Sequence, residues 1–205
     1  MVSSVDKEDV LEEVRSHIYI KATGYQKYIT ERDIGNTFNL KRGISRELLL
    51  SMEGEGILKR VPQKGYRFVD YNNTDHEAVM AVRYTLEREA ARKAMTVATR
   101  EDILRIILAY EDMGKYKEEN NPEKFREADI EFHKAIITAS HDNMLKNMFS
   151  FISIPVFKMN EPTNEKMGNT NAGHFKILSA LRGKNLPALE DALKKHYKGK
   201  RNSNS

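Results

Sequence analysis

Asp129 and His133 lie four residues apart in READIEFHKAIIT, residues 126–138, beside the apolar series Phe125, Ala128, Phe132, Ala135 and Ile136. Residues four apart on a helix share a face, so the two side chains can chelate one ion. Alone, such a pair also serves as a surface hydrogen bond. Two further histidines add to it: His174 in GHFKILSALRGKN and His196 in ALEDALKKHYKGK. Each stands beside residues with the apolar spacing of a helical bundle, Phe175, Ile177, Leu178 and Leu181 in one case, Leu189, Ala192 and Leu193 in the other. Three imidazoles and one carboxylate suit Zn²⁺, Ni²⁺, Mn²⁺ or Fe²⁺. The chain has no cysteine, which excludes disulfides and thiolate sites. The other three histidines, His17, His76 and His141, lack such a setting and read as surface or capping groups. A metal held by histidines can also activate water for hydrolysis. No Glu accompanies these ligands as in a His-Glu-x-x-His helix, so an enzyme is not expected.

A second group of residues suits phosphate and base recognition. Lys41, Arg42, Ser45 and Arg46 open a helical stretch whose other face carries Ile44, Leu48, Leu49 and Met52. Lys59, Arg60, Lys64 and Arg67 follow within ILKRVPQKGYRFVDY, where strand-forming residues flank a Pro-Gln-Lys-Gly turn with Gly65 expected at the tip. A basic helix start enters the major groove of DNA, and cations on a hairpin touch the neighbouring phosphates. Bulk charge does not decide the matter, since the formal net charge is only +4.

The elements that must position these residues fall into two kinds. Helices are expected at about 6–20, after Thr30 (a capping box with Asp33), and from Arg42 to Glu55, where Gly56 ends the helix; the hairpin follows. This is the order of a winged helix-turn-helix. The polar stretch YNNTD then reads as a linker. Beyond it nearly everything is helical: about 74–98, 99–117 behind a Thr99–Asp102 capping box, a helix opened by Asn121-Pro122, about 142–157, and two last helices at 172–182 and 186–197. Residues 160–173 read as a long polar loop. The expected fold is therefore mainly α. A winged helix-turn-helix with a β-hairpin wing occupies 1–71, a linker 72–76, a helical bundle 77–199, and a flexible tail 200–205. No apolar run approaches the roughly 20 residues of a membrane span. MVSSVDKEDV lacks the basic start and apolar stretch of a secretion signal, so a cytoplasmic protein is expected.

TERDIGNTFNLKRGISRELLLSMEGEGIL, residues 30–58, resembles the winged helix of the GntR family of bacterial regulators. That pattern, roughly SER-x-LA-x-x-x-x-VSR-x-x-VREAL-x-x-LE-x-x-GL, runs over the stretch without a gap. Lys41 replaces the usual Ser, Ser45 a usually apolar residue, and Ile29 the proline expected before Thr30; Gly43 lies early in the reading helix. Residues 77–198 resemble the FCD effector domain of the FadR-type branch. Arg83 and Leu86-Glu87 match its R-x-x-LE, Asp129, Phe132 and His133 its D-x-x-FH, and His174, Ile177, Ala180 and Leu181 its next histidine motif; His196 matches the closing histidine.

The resemblance implies a DNA-binding transcriptional regulator, most simply a repressor, with a six-helix effector bundle. It implies that Arg32, Arg42, Arg46 and Gly65 meet a double-stranded operator and that Asp129, His133, His174 and His196 hold the ion. It also implies a small organic acid or sugar acid as effector and a homodimer joined through the first bundle helix and its neighbour, where Val79, Val82 and Leu86 recur. Arg83 is a candidate effector contact through bidentate carboxylate pairing, and a buried salt bridge is its alternative. Asn143 is a second candidate, with helix capping as its alternative. A regulator that answers to the metal itself, with no organic effector, is the other reading of the same residues.

Overall fold

The computed structural model describes Val14 and residues 28–69, 73–159 and 164–201. The expected helix at 6–20 and the tail beyond Arg201 lie outside the described residues. The chain divides into two compact units, Met1–Tyr71 and Asn72–Ser205.

In the first unit, α1 (Glu31–Phe38) and α2 (Arg42–Gly54) form the helix-turn-helix, and β1 (Leu58–Val61) and β2 (Gly65–Phe68) form the wing. Thr30 and Asp33 make the expected capping box at the start of α1. The chain leaves α1 through Asn39 in the left-handed region, φ 51°, which turns it sharply toward α2. The strands pair antiparallel, Leu58 opposite Phe68 and Val61 opposite Gly65. Ile29 joins them through two hydrogen bonds with Tyr66, its N–H donating at 2.7 Å and its carbonyl accepting at 2.8 Å. A proline at position 29 would forfeit the first of these bonds.

Gly65 is not the tip of the hairpin but the first residue of β2, and Pro62, Gln63 and Lys64 make the turn. Its φ is +100°, and a Cβ there would stand 2.5 Å from the Ile29 carbonyl oxygen. The glycine is needed for that close approach, which a longer side chain cannot survive. The core of this unit is Ile29, Ile34, Leu48, Leu49, Met52 and Phe68, all buried.

Among the described residues, the second unit is a bundle of six helices: α3 (Asn73–Val97), α4 (Arg100–Glu118), α5 (Pro122–Ala139), α6 (Asn143–Met159), α7 (Asn164–Arg182) and α8 (Leu186–Arg201). Thr99 and Asp102 close the second capping box, and Asn121 caps α5 with Pro122 at its first turn. Two boundaries differ from the expectation. Residues 73–76 are already helical rather than linker, since YNNTD holds no Gly or Pro to delay the start. The expected loop 160–173 is helix from Asn164 onward. Met167, only 1% exposed, anchors that added length in the core. The bundle is packed around Met80, Ile106, Met113, Phe125, Phe132 and Ile177, with Leu189 and Leu193 from α8.

Candidate metal centre and nucleic-acid face

Three helices bring the candidate ligands together. α5 supplies Asp129 and His133 from one face, α7 supplies His174 and α8 supplies His196. The His133 and His174 side chains are fully buried, His196 is 8% exposed, and the Asp129 carboxylate is 13% exposed. The Nε2 atoms of His133 and His174 lie 3.0 Å apart. Asp129 Oδ1 lies 3.1 Å from His174 Nε2 and 3.7 Å from His133 Nε2. The His196 ring is centred 4.6 Å from that of His174 and 5.2 Å from that of His133. One ligand atom from each of the three histidines falls within a 4.8 Å span. The Phe132 ring, 4.6 Å from that of His174, walls one side.

These residues fit a divalent ion. Donors about 2.1 Å from a metal stand about 3.0–3.4 Å apart between right-angle and tetrahedral geometry; the His133–His174 and Asp129–His174 separations, 3.0 and 3.1 Å, match this, and the Asp129–His133 separation is longer at 3.7 Å. The donors are nitrogen and carboxylate oxygen alone, which suits borderline or hard divalent ions and not soft ones. The sequence-predicted ligand set is thus assembled in one place.

Sequence reasoning named Glu87 only within the R-x-x-LE match and gave it no role. It sits on α3, fully buried, with Oε2 2.6 Å from His133 Nδ1 and Oε1 accepting from Arg83 Nε at 2.8 Å. Burial alone would raise its pKa; His133 and Arg83 outweigh this, with help from hydrogen bonds, and hold the carboxyl at about 2. Burial likewise opposes the charge on Arg83, yet its electrostatic surroundings, Glu87 and Asp129 among them, hold the guanidinium above its ordinary value. The Arg83 guanidinium also lies 5.7 Å from the ring centres of Phe149 and Tyr197. Burial pushes the Tyr197 phenol well above its usual range. The spacing of Arg83 and Glu87, four residues on one helix face, was the signal available for this pair.

Arg83 and Asn143, the two candidate effector contacts, sit in different settings, one buried and one exposed. Arg83 makes the buried salt bridge that was its alternative reading. Asn143 is exposed at the first turn of α6, and Asp142 caps that helix through Oδ1, which accepts from the N–H groups of Met144 and Leu145. His141, half exposed, bonds the Asp102 carboxylate at 2.8 Å, in keeping with a capping group. His17 and the His76 side chain lie outside the described residues.

In the first unit, Arg32, Lys41, Arg42, Arg46, Lys59, Arg60 and Lys64 are all exposed. Arg42 and Arg46 stand out from the start of α2 at 90% and 63% side-chain exposure. A concave surface of about 1000 Å³ runs between the helix-turn-helix and the wing, lined by Arg32, Arg42, Arg60 and Lys64 among others. Glu31 also faces it, accepting from Arg42 Nε at 3.0 Å and lying 4.0 Å from Arg46 Nε. Ser45 is corrected. It is fully buried, its Oγ 3.4 Å from the Lys41 carbonyl, and a Cβ on Gly35 would stand 3.4 Å from that hydroxyl. α1 and α2 cross there, so a small inward residue is required and base contact is ruled out. Gly65 is half-buried against Ile29 and lines the same concave surface.

An FCD domain family model matches residues 78–199. The Uxu operon transcriptional regulator of Escherichia coli (strain K12) is 28% identical over 133 residues, 58% of this chain and 52% of that protein, so the match spans about half of the relative's length. The solved structure of E. coli McbR/YncC superposes with a TM-score of 0.82 at 16% identity, covering 98% of this chain and 96% of that one. A GntR transcriptional regulator from Rhodococcus sp. RHA1 gives 0.76 at 16% identity, covering 97% and 96%. At these identities the structural likeness speaks for the fold. The family match spans more than half of the chain, so the protein belongs to the FCD domain family, and its fold is that of the GntR regulators.

Proposed function

We propose that the protein is a DNA-binding transcriptional regulator whose bundle holds one divalent ion through Asp129, His133, His174 and His196. The observation that carries the metal reading is the convergence of three buried imidazoles from three helices within 4.8 Å of one another. Two DNA-binding heads per homodimer would address operator half-sites about one helical turn apart and combine their affinities. The exposed apolar residues Val82 on α3 and Met144 and Met148 on α6 offer a surface for that dimer. Leu86, expected there, is instead buried with Ala90, Ile137 and Phe149. The expected setting is the cytoplasm, and the expected action is repression.

A bound ion of this kind supplies an electropositive centre that attracts carboxylates. The effector of this reading is accordingly a small organic acid or sugar acid. A second reading is favoured by one observation: Arg83, the cation that would have completed an effector site, is engaged with Glu87. In that reading the ion is itself the signal. Titrating a labelled operator in the presence of Zn²⁺, Ni²⁺, Mn²⁺ or Fe²⁺, with and without chelator and with and without candidate acids, separates the two. A response to acids only when metal is present supports the effector. A response to metal and chelator alone supports the metal signal. No operator-length DNA bound under any condition contradicts the regulator reading.

A further inference from the structure

We propose that Glu87 is the positioning residue of the metal centre: its carboxylate accepts the Nδ1 proton of His133 and thereby turns the Nε2 lone pair toward His174 and Asp129. The proposal rests on the metal reading above, although its tautomer claim does not. Glu87 lies on α3, which supplies none of the four ligands, and its side chain is fully buried. A carboxylate can only accept, so the 2.6 Å contact with His133 Nδ1 requires a proton on that nitrogen. The two Glu87 oxygens are divided, Oε1 toward Arg83 and Oε2 toward His133. Nε2 of His133 is then the ring atom facing the cluster, 3.0 Å from His174 Nε2.

A neutral imidazole offers one lone pair, and it binds an ion only when the proton sits on the other nitrogen. An acceptor on Nδ1 fixes that choice, holds the ring plane and makes the ligand nitrogen more basic; loss of such a partner typically costs about 10–100-fold in metal affinity. Arg83 has the supporting role. Its guanidinium balances a carboxylate that would otherwise be buried without a counter-charge. A purely structural ion pair would need only one oxygen of Glu87 and would leave His133 to other partners. The direct bond to a ligand histidine separates the two accounts.

The test compares two double variants, because removing either partner alone leaves an uncompensated buried charge. Arg83→Met/Glu87→Leu replaces the pair by apolar side chains, a change buried pairs often tolerate. Arg83→Met/Glu87→Gln keeps a neutral acceptor beside His133. Zn²⁺ affinity is measured by competition with a chelating dye on samples whose folding is checked by circular dichroism. In parallel, the imidazole ¹⁵N shifts of the metal-free proteins report the His133 tautomer. The proposal predicts the Nδ1–H tautomer in wild type, its loss in the Leu variant, and Zn²⁺ binding weaker by about 10–100-fold in that variant. The Gln variant should recover part of both. Zn²⁺ affinity within about twofold of wild type in the Leu variant, with the tautomer retained, would overturn it. Should wild type itself bind no Zn²⁺, the metal reading fails. A His133 ring in the metal-free wild type that is protonated on Nε2 and bare on Nδ1 overturns the positioning role by itself.

Discussion

Substituting Gly173 by Ala should separate stability from metal binding. Gly173 lies one residue before His174 on α7, and a Cβ built on it would stand 3.1 Å from His196 Nδ1. That is a few tenths of an ångström closer than ordinary van der Waals contact, so the His196 ring must move away from α7. Metal sites tolerate displacements of only about 0.2 Å in ligand distance. Ala also favours the helix over Gly by about 1 kcal/mol, against an overpacking cost of about 1–3 kcal/mol if the ring cannot yield. His196 retains 8% exposure, so the ring has some room to give. The two terms then nearly cancel, and the metal-free melting temperature should change by no more than about 4 °C for a unit of this size. The Zn²⁺ dissociation constant should rise by about tenfold, equal to about 1.4 kcal/mol. Calorimetric titration, with melting curves in chelator and in excess Zn²⁺, measures both quantities. Unchanged affinity would refute the assignment of His196 as a ligand held by close packing on α7. A large loss of metal-free stability with unchanged affinity would make Gly173 a purely structural residue.

Replacing His174 by Ala should abolish the stabilisation by added metal, which for wild type reaches about 2.7 kcal/mol at an ion concentration 100 times the dissociation constant; melting curves across a metal series check it. Arg42→Ala and Arg46→Ala should each weaken specific operator binding by about 1–3 kcal/mol per site while leaving metal content intact, and Lys64→Ala should weaken all sequences alike and flatten the salt dependence. Glu31→Gln removes the carboxylate that holds Arg42 at 3.0 Å, so non-specific DNA affinity should rise and the ratio of specific to non-specific binding should fall. Burial pushes the Asp102 carboxyl up, but hydrogen bonds from the Thr99 N–H and hydroxyl and from His141 outweigh it and hold the pKa below the ordinary value. Its contribution is therefore full above the unfolded value of about 3.9 and lost as pH falls through the lower folded value. Asp102→Ala should cost about 1 kcal/mol at neutral pH, and the gap between wild-type and variant melting temperatures should close as pH drops below about 4.

Local signals with a single physical cause were legible in the sequence. Thr30 with Asp33 and Thr99 with Asp102 each satisfy orphan N–H groups, and both boxes form where expected. Asp129 and His133 share a face because the α-helix repeats every 3.6 residues, and their meeting with His174 and His196 follows from the apolar stripes beside them. What escaped was set by packing between elements. Gly168 and Gly173, with polar residues between them, hid the first turns of α7, although Met167 is an inward anchor there. Gly173 is tolerated because the His196 ring needs the space. Ser45 looked like a groove residue by its polarity, yet it occupies a position that is apolar in the GntR pattern, and the α1–α2 crossing explains why it must be small and inward. Glu87 was visible only as part of a motif, since nothing local shows that a carboxylate on α3 meets a histidine 46 residues away.

The most direct test of the account is the metal content of the purified wild-type protein beside that of the His174→Ala/His196→Ala double variant. Both are incubated with a mixture of Zn²⁺, Ni²⁺, Mn²⁺ and Fe²⁺ at neutral pH, desalted and measured by elemental analysis. The account predicts one divalent ion per chain in wild type and none in the variant. Wild type that retains no ion, or a variant that retains as much as wild type, would contradict it.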